Sequence, residues 1–522
     1  MILRHALHRD CYYDSVRLMA VSAALEERPG VQRAAAMMAT AANCELLADA
    51  GLLPAGGVPE ARPDDLVVAV QADDDSAAEA ALAAARELLA AGEAAESVGR
   101  PGAGVAGRPA PRGLATACRA LPGANLAFIS VPGEYAAAEA RQALRAGLHV
   151  LLFSDNVALA DEIALKRLAE ERGLLLMGPD CGTALLGGVG LGFANVVRRG
   201  PIGIVAASGS GLQAVSSLVH RAGSGVSHGL GSGGRDLSDP VGGLTTRRAL
   251  PLLAADPGTT VIVLVSKPPG PRTAASLYAL LPTLGKPVVT CLLGADPAPA
   301  RAAGAYPAPT LADAAATAVA LARGDAPPEP GSAAGAEPGN PVAAVVPTYA
   351  PGQRYLRGLF AGGTLAAEAT LVLGARLGRV YSNAGVGEPL ADPHRSREHT
   401  VVDLGADEFT RGRPHPMIDP RARAERLLAE ADDPSVAVLL LDVVLGRGAH
   451  PDPAGALVPA LAAARQRAAA AGRELAVVAS VCGTEEDPQC LSRQERILRE
   501  AGVIVRESGA LAAAEAASRL AA

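Results

Sequence analysis

The sequence predicts an α/β protein with parallel sheets, preceded by a small α+β unit. From residue 114 onwards, short apolar strands alternate with helices, a pattern typical of a doubly wound sheet. Residues 93–113 and 325–351 are rich in Gly and Pro, which indicates linkers. Two strand–glycine turn–helix stretches lie in different units. The predicted domains therefore span 1–92, 114–199, 200–324 and 352–522.

Composition restricts the class of protein. A chain of 522 residues is too long for one core, and with 2% aromatic residues and no Trp its cores must consist of Ala, Val, Leu and Ile. The net charge of -7 gives no support for a nucleic-acid or anionic membrane partner. Seven scattered cysteines without a Cys-x-x-Cys pair, and no long apolar run, predict a reduced cytoplasmic protein.

The first 92 residues predict three strands and three helices. The run Asp73–Asp75 raises the question of a metal site, but it directly precedes an Ala-rich helix and is explained more simply as negative charge in a first helical turn. We expect no metal there. The first predicted strand lies near the N-terminus, and the other two span 31–38 and 66–70. The predicted helices span 15–27, 43–50 and 76–91.

Residues 114–199 predict an alternating unit whose strand ends carry polar loops. Ligands bind at the carboxyl ends of strands in such sheets. The loops are Pro132–Glu134, Ser154–Asn156 and Gly178–Thr183. The predicted strands are 126–131, 149–153 and 174–177, and the helices are 114–121, 135–146 and 158–172.

Residues 200–324 open with the stretch that we regard as central. The strand 202–206 runs into the turn Ser208, Gly209, Ser210 and Gly211, and helical character follows. Small residues let backbone N–H groups approach a ligand, and a helix N-terminus favours phosphate or carboxylate. The alternative is an ordinary helix cap. Later predicted strands are 225–230, 261–265 and 288–292.

Residues 352–522 repeat this arrangement. A strand ending near Leu359 leads into the turn Gly362, Gly363 and Thr364 and then a helix, so two helix N-termini are available to one anion. Two apolar strands, 436–444 and 475–481, end in glycine-containing loops. Those loops add Gly446, Gly483 and Thr484 to the candidate phosphate-binding residues.

The motifs resemble a known family. Gly178–Cys181, Gly203–Gly211 and Gly231–Asp236 resemble the α subunit of succinyl-CoA synthetase over residues 114–324, and Gly362–Thr364 with Cys482–Thr484 resemble the ligase domain of its β subunit. With Arg9–Val16 and Gly412–Pro420, the chain resembles the FdrA family along nearly its whole length. The resemblance implies a Rossmann-like CoA-binding-type domain followed by two flavodoxin-like domains.

Departures from the synthetases are informative. Their phosphoryl group passes through a histidine in a Gly-His-Ala-Gly-Ala loop, where this chain has Arg301-Ala-Ala-Gly-Ala305. The glutamate that steadies this histidine corresponds to Lys267. No segment remains for an ATP-grasp domain. The sequence therefore predicts a phosphate-centred pocket with an added positive charge, in which Lys267 is the catalytic candidate and no phosphohistidine forms.

Resemblance to the FdrA family implies a subunit of oxamate carbamoyltransferase in allantoin breakdown. Such an enzyme moves a carbamoyl group between oxalurate and phosphate, and the resemblance implies companion subunits and a small anionic substrate such as carbamoyl or acyl phosphate. Two rivals stay open. One is an acyl-CoA ligase that still uses CoA. Against it, residues 114–125 do not show the glycine-rich loop that binds the CoA phosphates in the synthetases. The other is a non-catalytic scaffold subunit.

Several polar residues carry two interpretations each. Lys267 binds an anion or lies on the surface. Gly234, Arg235 and Asp236 orient substrate or close a turn. Arg413 and His415, in a proline-rich loop, bind substrate or brace a rigid strut.

Other histidines and one cysteine carry weaker predictions. His450 with Asp452 suits an acid/base pair but is better explained as a solvated turn. His220 and His228 flank core segments and are expected to be structural. Cys181 is expected to be a small residue against the sheet rather than a nucleophile.

Overall fold

The computed structural model describes residues 2–11, 13, 15–54, 58, 60–98, 111, 113–332, 348–410 and 413–520. Most of the two predicted linkers, and Tyr12, Asp14 and Gly412 of the family motifs, lie outside these residues. Two compact units result. One contains Met1–Ala124, Ser130–Pro132 and Phe409–Asp419, and the other contains Asn125–Ile129, Gly133–Glu408 and Pro420–Ala522.

The N-terminal unit is a three-stranded antiparallel sheet with helices on both faces. Its strand order is β1-β3-β2. The central strand β3 alternates its side chains: Val68 and Val70 pack with α1 and α3, whereas Val67 and Ala69 pack with α2. The elements are β1 (Ile2–His8), α1 (Ser15–Glu26), β2 (Val31–Met38), α2 (Ala41–Asp49), β3 (Leu66–Ala72), α3 (Asp75–Val98) and α4 (Leu114–Ala120).

The interpretation of the acidic run before α3 as helix-start charge is confirmed. Asp74 Oδ1 accepts the N–H of Ala77 at 2.8 Å, which satisfies a donor in the first turn. Asp75 is the first residue of the helix.

The second unit begins with a three-stranded parallel sheet in the order β4-β5-β6. Its strands lie where the sequence predicted them, although the last is only two residues long. The elements are β4 (Leu126–Ile129), α5 (Gly133–Arg145), β5 (His149–Leu152), α6 (Leu159–Glu171) and β6 (Leu176–Met177).

A seven-stranded sheet follows, in the order β13-β12-β11-β9-β10-β7-β8. The hairpin of β7 (Thr183–Leu186) and β8 (Val189–Gly192) pairs antiparallel with β10, so the predicted boundary at residue 199 divides this sheet. The remaining elements are β9 (Ile202–Ala206), α7 (Gly209–Arg221), β10 (Val226–Gly231), α8 (Leu244–Ala255), β11 (Val261–Ser266), α9 (Pro271–Leu280), a 3₁₀ turn (Leu281–Leu284), β12 (Val288–Leu292), α10 (Pro297–Ala302), β13 (Tyr306–Pro307) and α11 (Leu311–Arg323).

A second seven-stranded sheet is parallel at every pair, in the order β16-β15-β17-β14-β18-β19-β20. Its longest strand, β18, is buried throughout, as its unbroken apolar run predicts. The elements are β14 (Tyr355–Phe360), α12 (Gly363–Leu377), β15 (Tyr381–Ser382), β16 (Glu388–Pro389), β17 (Thr400–Asp403), α13 (Asp407–Thr410), α14 (Arg421–Asp432), β18 (Val436–Val444), α15 (Pro453–Ala470), β19 (Ala476–Cys482), α16 (Leu491–Glu500), β20 (Ile504–Arg506) and α17 (Gly509–Ser518).

A buried polar seam joins the two seven-stranded sheets. The Asp487 carboxylate accepts the Asn195 side chain at 2.8 Å, the N–H of Val196 at 2.7 Å and the N–H of Thr484 at 2.8 Å. Gln213 of α7 donates to Asn195 at 3.1 Å. These bonds hold the segment before β9, in the first seven-stranded sheet, against the loop after β19, in the second. Among the described residues, no helix has the length and apolar character needed to cross a membrane.

Candidate functional site

The first predicted turn forms the capped start of a helix. Strand β9 ends at Ala206, and the Ser208 side chain accepts the N–H of Gly211 at 2.9 Å. The N–H groups of Gly209 and Ser210 have no acceptor in the part of the chain that the structure describes. The N-terminus of α7 therefore offers two unpaired donors together with the positive end of a 13-residue helix.

The second turn is held by a carboxylate from the neighbouring strand. Asp442 of β18 accepts the N–H of Ala361 at 2.8 Å and that of Gly362 at 2.9 Å. Burial raises the pKa of Asp442, while Arg423, whose guanidinium lies 3.3 Å away, lowers it. This support fixes the backbone at the start of α12 without using a side-chain cap.

The two turns touch. Ser208 Oγ lies 2.5 Å from Thr364 Oγ1, and Thr364 donates its N–H to Ser210 Oγ at 3.4 Å. A Cβ at Gly362 would stand 2.8 Å from Ser210 Cβ, so only glycine permits this approach. The structure therefore brings together the two helix N-termini that the sequence marked in separate domains.

Lys267 follows β11 beside the first turn. The parallel register pairs Val265 with Ala206, which places Lys267 next to the Ser208 turn at the carboxyl edge of the sheet. Lys267 is partly exposed and has no ion pair within 4.0 Å among the described residues. Its charge acts instead on Asp403, whose pKa it lowers.

Asp403 is a site residue that the sequence analysis missed. It ends β17, and its Oδ2 lies so close to the second turn that a Cβ at Gly363 would collide with it. Burial raises its pKa to about 6 in spite of Lys267 and of a hydrogen bond from the N–H of Gly405 at 2.9 Å. The available signal was its position, a carboxylate at the end of an apolar strand.

Further carboxylates surround this position. Desolvation, followed by the charges of Asp155 and Asp407, raises the pKa of Asp180 to about 7, and Arg235 acts in the opposite direction. The added positive charge that the sequence predicts is therefore only part of the local electrostatics. The charges of four aspartates and two cations interact here: Asp155, Asp180, Asp403 and Asp407 with Lys267 and Arg235. The pKa values of Asp403 and Asp180 suit groups that gain and lose protons near neutral pH.

The loop Gly231–Asp236 closes a turn more than it presents donors. Asp236 is fully buried and pairs with Lys166 at 2.6 Å, and it also accepts the N–H groups of Thr245 and Thr246. Of the two interpretations for Asp236, this geometry matches turn closure.

The flanking residues of this loop differ from Asp236 in exposure. Arg235 pairs with Glu162 at 2.9 Å, although half of its side chain is exposed. A Cβ at Gly234 would lie 3.4 Å from Asp180 Oδ2, so this glycine borders the acidic group.

Three predicted phosphate-binding residues belong to the polar seam instead. Thr484 is fully buried, its hydroxyl donates to Val196 O at 2.7 Å, and its N–H is held by Asp487. A Cβ at Gly446 would lie 2.8 Å from Ala194 O. A Cβ at Gly483 would lie 2.6 Å from the Leu445 side chain. Close packing therefore accounts for these three small residues without a ligand, and anion contact by Gly446, Gly483 and Thr484 stays a prediction.

The proline-rich loop with Arg413 and His415 belongs to the unit of residues 1–124, whereas the paired turns belong to the other. Arg413 is exposed. His415 Nδ1 accepts the N–H of Met417 at 3.2 Å, and burial lowers the pKa of His415 to about 4. His415 is therefore neutral at physiological pH.

Other candidates are structural. His450 Nδ1 accepts the N–H of Asp452 at 3.0 Å within a local turn. His220 accepts the N–H of Arg198 at 3.0 Å. Burial raises the pKa of Cys181 to about 12, so its thiol is not nucleophilic.

The stretch that replaces the phosphohistidine loop ends the short helix α10. Arg301 is exposed and lines a cavity of about 330 Å³ with Thr290, Asp296 and Leu371. The Ser208 and Gly362 turns do not line this cavity. No histidine lines it either.

Comparison with known proteins supports the motif-based resemblance. Residues 359–519 match the family model described as CoA-ligase, and residues 1–103 match that of the AllF heavy metal-associated domain. The chain is 42% identical over 519 residues to YahF of Escherichia coli (strain K12), covering 97% of this chain and 96% of YahF.

More distant relatives cover part of the chain. Identity to the mitochondrial succinate–CoA ligase [ADP-forming] subunit α-2 of Trichomonas vaginalis is 33% over 189 residues, which is 35% of this chain and 60% of that subunit. Among solved structures, a dinucleotide-forming acetyl-coenzyme A synthetase 1 of Ca. Korarchaeum cryptofilum aligns with 80% of this chain and 86% of its own, at 16% identity and a TM-score of 0.34.

A heavy metal-associated domain implies a site for a soft metal ion, and such ions prefer paired thiolates. The described cysteines of this unit's first 98 residues are Cys11 and Cys44, and they do not form a ligand group. The clustered side chains there are Asp10, Asp64 and Asp65, with oxygens within 4.8 Å of one another. Asp65 already accepts two backbone N–H groups and pairs with an arginine at 3.1 Å. These residues do not fit a soft metal.

Three findings agree with the sequence motifs of the paired turns: the 42% identity to YahF over nearly the full length of both chains, the CoA-ligase domain and the AllF-type N-terminal domain. The chain belongs to the FdrA family of succinyl-CoA synthetase-like proteins.

Proposed function

We propose that this chain is a subunit of a carbamoyltransferase of allantoin breakdown that moves a carbamoyl group between oxalurate and phosphate. Family membership and the AllF-type domain support a role in that pathway. The observation that carries the proposal is the contact between the two helix starts, 2.5 Å between Ser208 Oγ and Thr364 Oγ1, beside Lys267 and without a histidine in the Arg301–Ala305 stretch. Such a site suits a phosphate that reacts directly.

The chemistry requires an anion site and a proton carrier. A phosphate oxygen attacks the carbamoyl carbon, a C–O bond forms, and the C–N bond to the oxamate nitrogen breaks. Hydrogen phosphate loses one proton in the process, and the leaving nitrogen gains one. The N-terminus of α7 and Lys267 stabilise charge on the phosphate oxygens. Asp403 and Asp180, with pKa values of about 6 and about 7, are suited to carry the proton.

Lys267→Ala tests this role in a complex reconstituted with the companion subunits. We expect phosphate-dependent oxalurate cleavage to fall about 100-fold, because a charge directed at the transition state is lost. Arg272→Ala, which removes an 82% exposed cation in the first turn of α9, is the matched control and should leave the rate unchanged. An unchanged rate in Lys267→Ala would remove the anion role from this lysine.

A second candidate is an acid–thiol ligase that uses CoA. The CoA-ligase domain and the synthetase relatives favour it. Calorimetry with CoA separates the two functions: tight CoA binding, together with no response to carbamoyl phosphate, would favour the ligase and contradict the carbamoyltransferase.

A further inference from the structure

A buried hydroxyl without a partner lies beside the first turn. Thr183 begins β7 and is 1% exposed, and its Oγ1 has no hydrogen-bond partner among the described residues. This oxygen is the atom nearest to the position of a Cβ on Gly209, at 3.3 Å. It therefore points at the first residue of α7. Leaving a buried hydroxyl unsatisfied costs about 1–3 kcal/mol, and such a cost is commonly associated with a functional site.

The same corner holds unpaired backbone donors. The N–H groups of Gly209 and Ser210 have no acceptor in the described part of the chain. With the Thr183 hydroxyl, they make three donors around one helix start. Three donors at one helix start can each bond a different oxygen of a tetrahedral anion, whereas a planar carboxylate has only two oxygens.

The opposite helix start is different. Asp403 places a carboxyl oxygen against Gly363, and that oxygen has no hydrogen-bond donor within the described ranges. An anion at the α12 end would meet this carboxylate at close range, and like charges disfavour that arrangement. The two helix ends, although they touch, are therefore not equivalent.

We infer that the tetrahedral oxyanion binds at the α7 end, held by the N–H groups of Gly209 and Ser210 and by the Thr183 hydroxyl, and that the carboxylate-bearing substrate binds elsewhere. This assignment rests on the proposed function, because it divides the two anions of that reaction between two places. The ligand is inorganic phosphate or the phosphate end of carbamoyl phosphate. Thr183 is the residue that completes the site.

Thr183→Val tests the assignment, since it replaces the hydroxyl by a methyl group of the same shape. Titration of the full-length chain with inorganic phosphate should show about tenfold weaker binding, which corresponds to about 1.4 kcal/mol for one hydrogen bond. Oxamate, titrated in parallel, should bind equally well to both proteins. The variant should be as stable as the parent or more stable, because an unsatisfied buried group has gone.

Two further variants control the experiment. Thr183→Ser keeps the hydroxyl and should keep phosphate affinity. Thr317→Val makes the same replacement at a buried position in α11 and should change neither affinity.

Four outcomes would overturn the inference. They are unchanged phosphate affinity in Thr183→Val, loss of oxamate binding in that variant, equal loss in Thr183→Ser, and no phosphate binding by the parent. The titration uses this chain alone, so its result does not depend on transfer activity. If phosphate binding depends on Thr183 while the reconstituted complex transfers no carbamoyl group, the proposed function is refuted and the phosphate site stands.

Discussion

At the scale of single residues, Asp403 decides how the paired turns work. Its carboxyl lies where the carboxyl ends of β17 and β14 meet, next to the start of α12. Burial disfavours its charged form, whereas Lys267 favours it. The residue is therefore poised between protonated and ionised states in the pH range in which the proposed reaction would occur.

Asp403→Asn should change the pH dependence of stability. Because the folded pKa of about 6 lies above the ordinary value of 3.8, ionisation costs stability as pH rises from about 4 through 6. The variant should match the parent near pH 4 and exceed it at pH 8 by about 3 kcal/mol. Urea denaturation at both pH values measures this difference, and Asp325→Asn, in an exposed segment, is the control. An equal effect at pH 4 and pH 8 would contradict the raised pKa.

At the scale of elements, Gly362 and Gly363 of the second turn are each required for a distinct physical reason. Gly362 lets its turn approach Ser210, and Gly363 leaves room for the Asp403 carboxyl. Neither has a positive φ. Close approach between neighbouring elements, and not backbone conformation, therefore selects glycine at the start of α12.

Gly363→Ala and Gly374→Ala compare a crowded with an open position in the same helix. At Gly363 a new Cβ collides with Asp403, so the variant should lose about 1–3 kcal/mol of unfolding free energy. At Gly374 nothing lies within 4 Å, and alanine should add about 0.5–1 kcal/mol because it restricts the unfolded chain. Thermal unfolding of both variants checks the signs. If both were stabilised, Asp403 would not occupy the place described.

The sequence predicted the strands well where both faces of the sheet are buried. The strands at 202–206, 261–265, 288–292 and 436–444 are continuous apolar runs, and all were located within a residue or two. The hairpin at Thr183–Gly192 was missed, because it has many glycines and alternates weakly. The short strands β15 and β16 have two residues each, too few for any period.

Site prediction followed the same division. Glycine turns carry a local signature, so Ser208–Gly211 and Gly362–Thr364 could be named from sequence. Asp403 and Thr183 owe their roles to contacts with other segments of the chain, at Gly363 and Gly209. The position of Asp403 at the end of an apolar strand was a weak signal, and no comparable pattern marks Thr183. Thr484 also follows an apolar strand, and local sequence does not reveal that its hydroxyl donates across the seam to Val196 O.

At the scale of the whole molecule, the geometry of the paired turns depends on how the two seven-stranded sheets are held. Helix α7 carries the first turn at its start, and its Gln213 joins the seam through Asn195. Asp487 is the acceptor for three donors of that seam. The seam and the contact between Ser208 and Thr364 therefore restrain the same helix at two points.

Asp487→Ala should loosen this restraint throughout the second unit. Three buried donors lose their acceptor, so we expect a loss of about 3 kcal/mol or more, and the sheets should cease to unfold together. The chain contains no Trp, so a single reporter can be placed in either sheet, as Tyr306→Trp or Glu388→Trp at exposed positions. Both reporters should give one urea midpoint with Asp487 present and two without it. Asp487→Asn keeps one acceptor oxygen, so its loss of unfolding free energy should lie between those of the parent and of Asp487→Ala. Coincident urea midpoints for the two reporters in Asp487→Ala would mean that apolar packing alone couples the sheets.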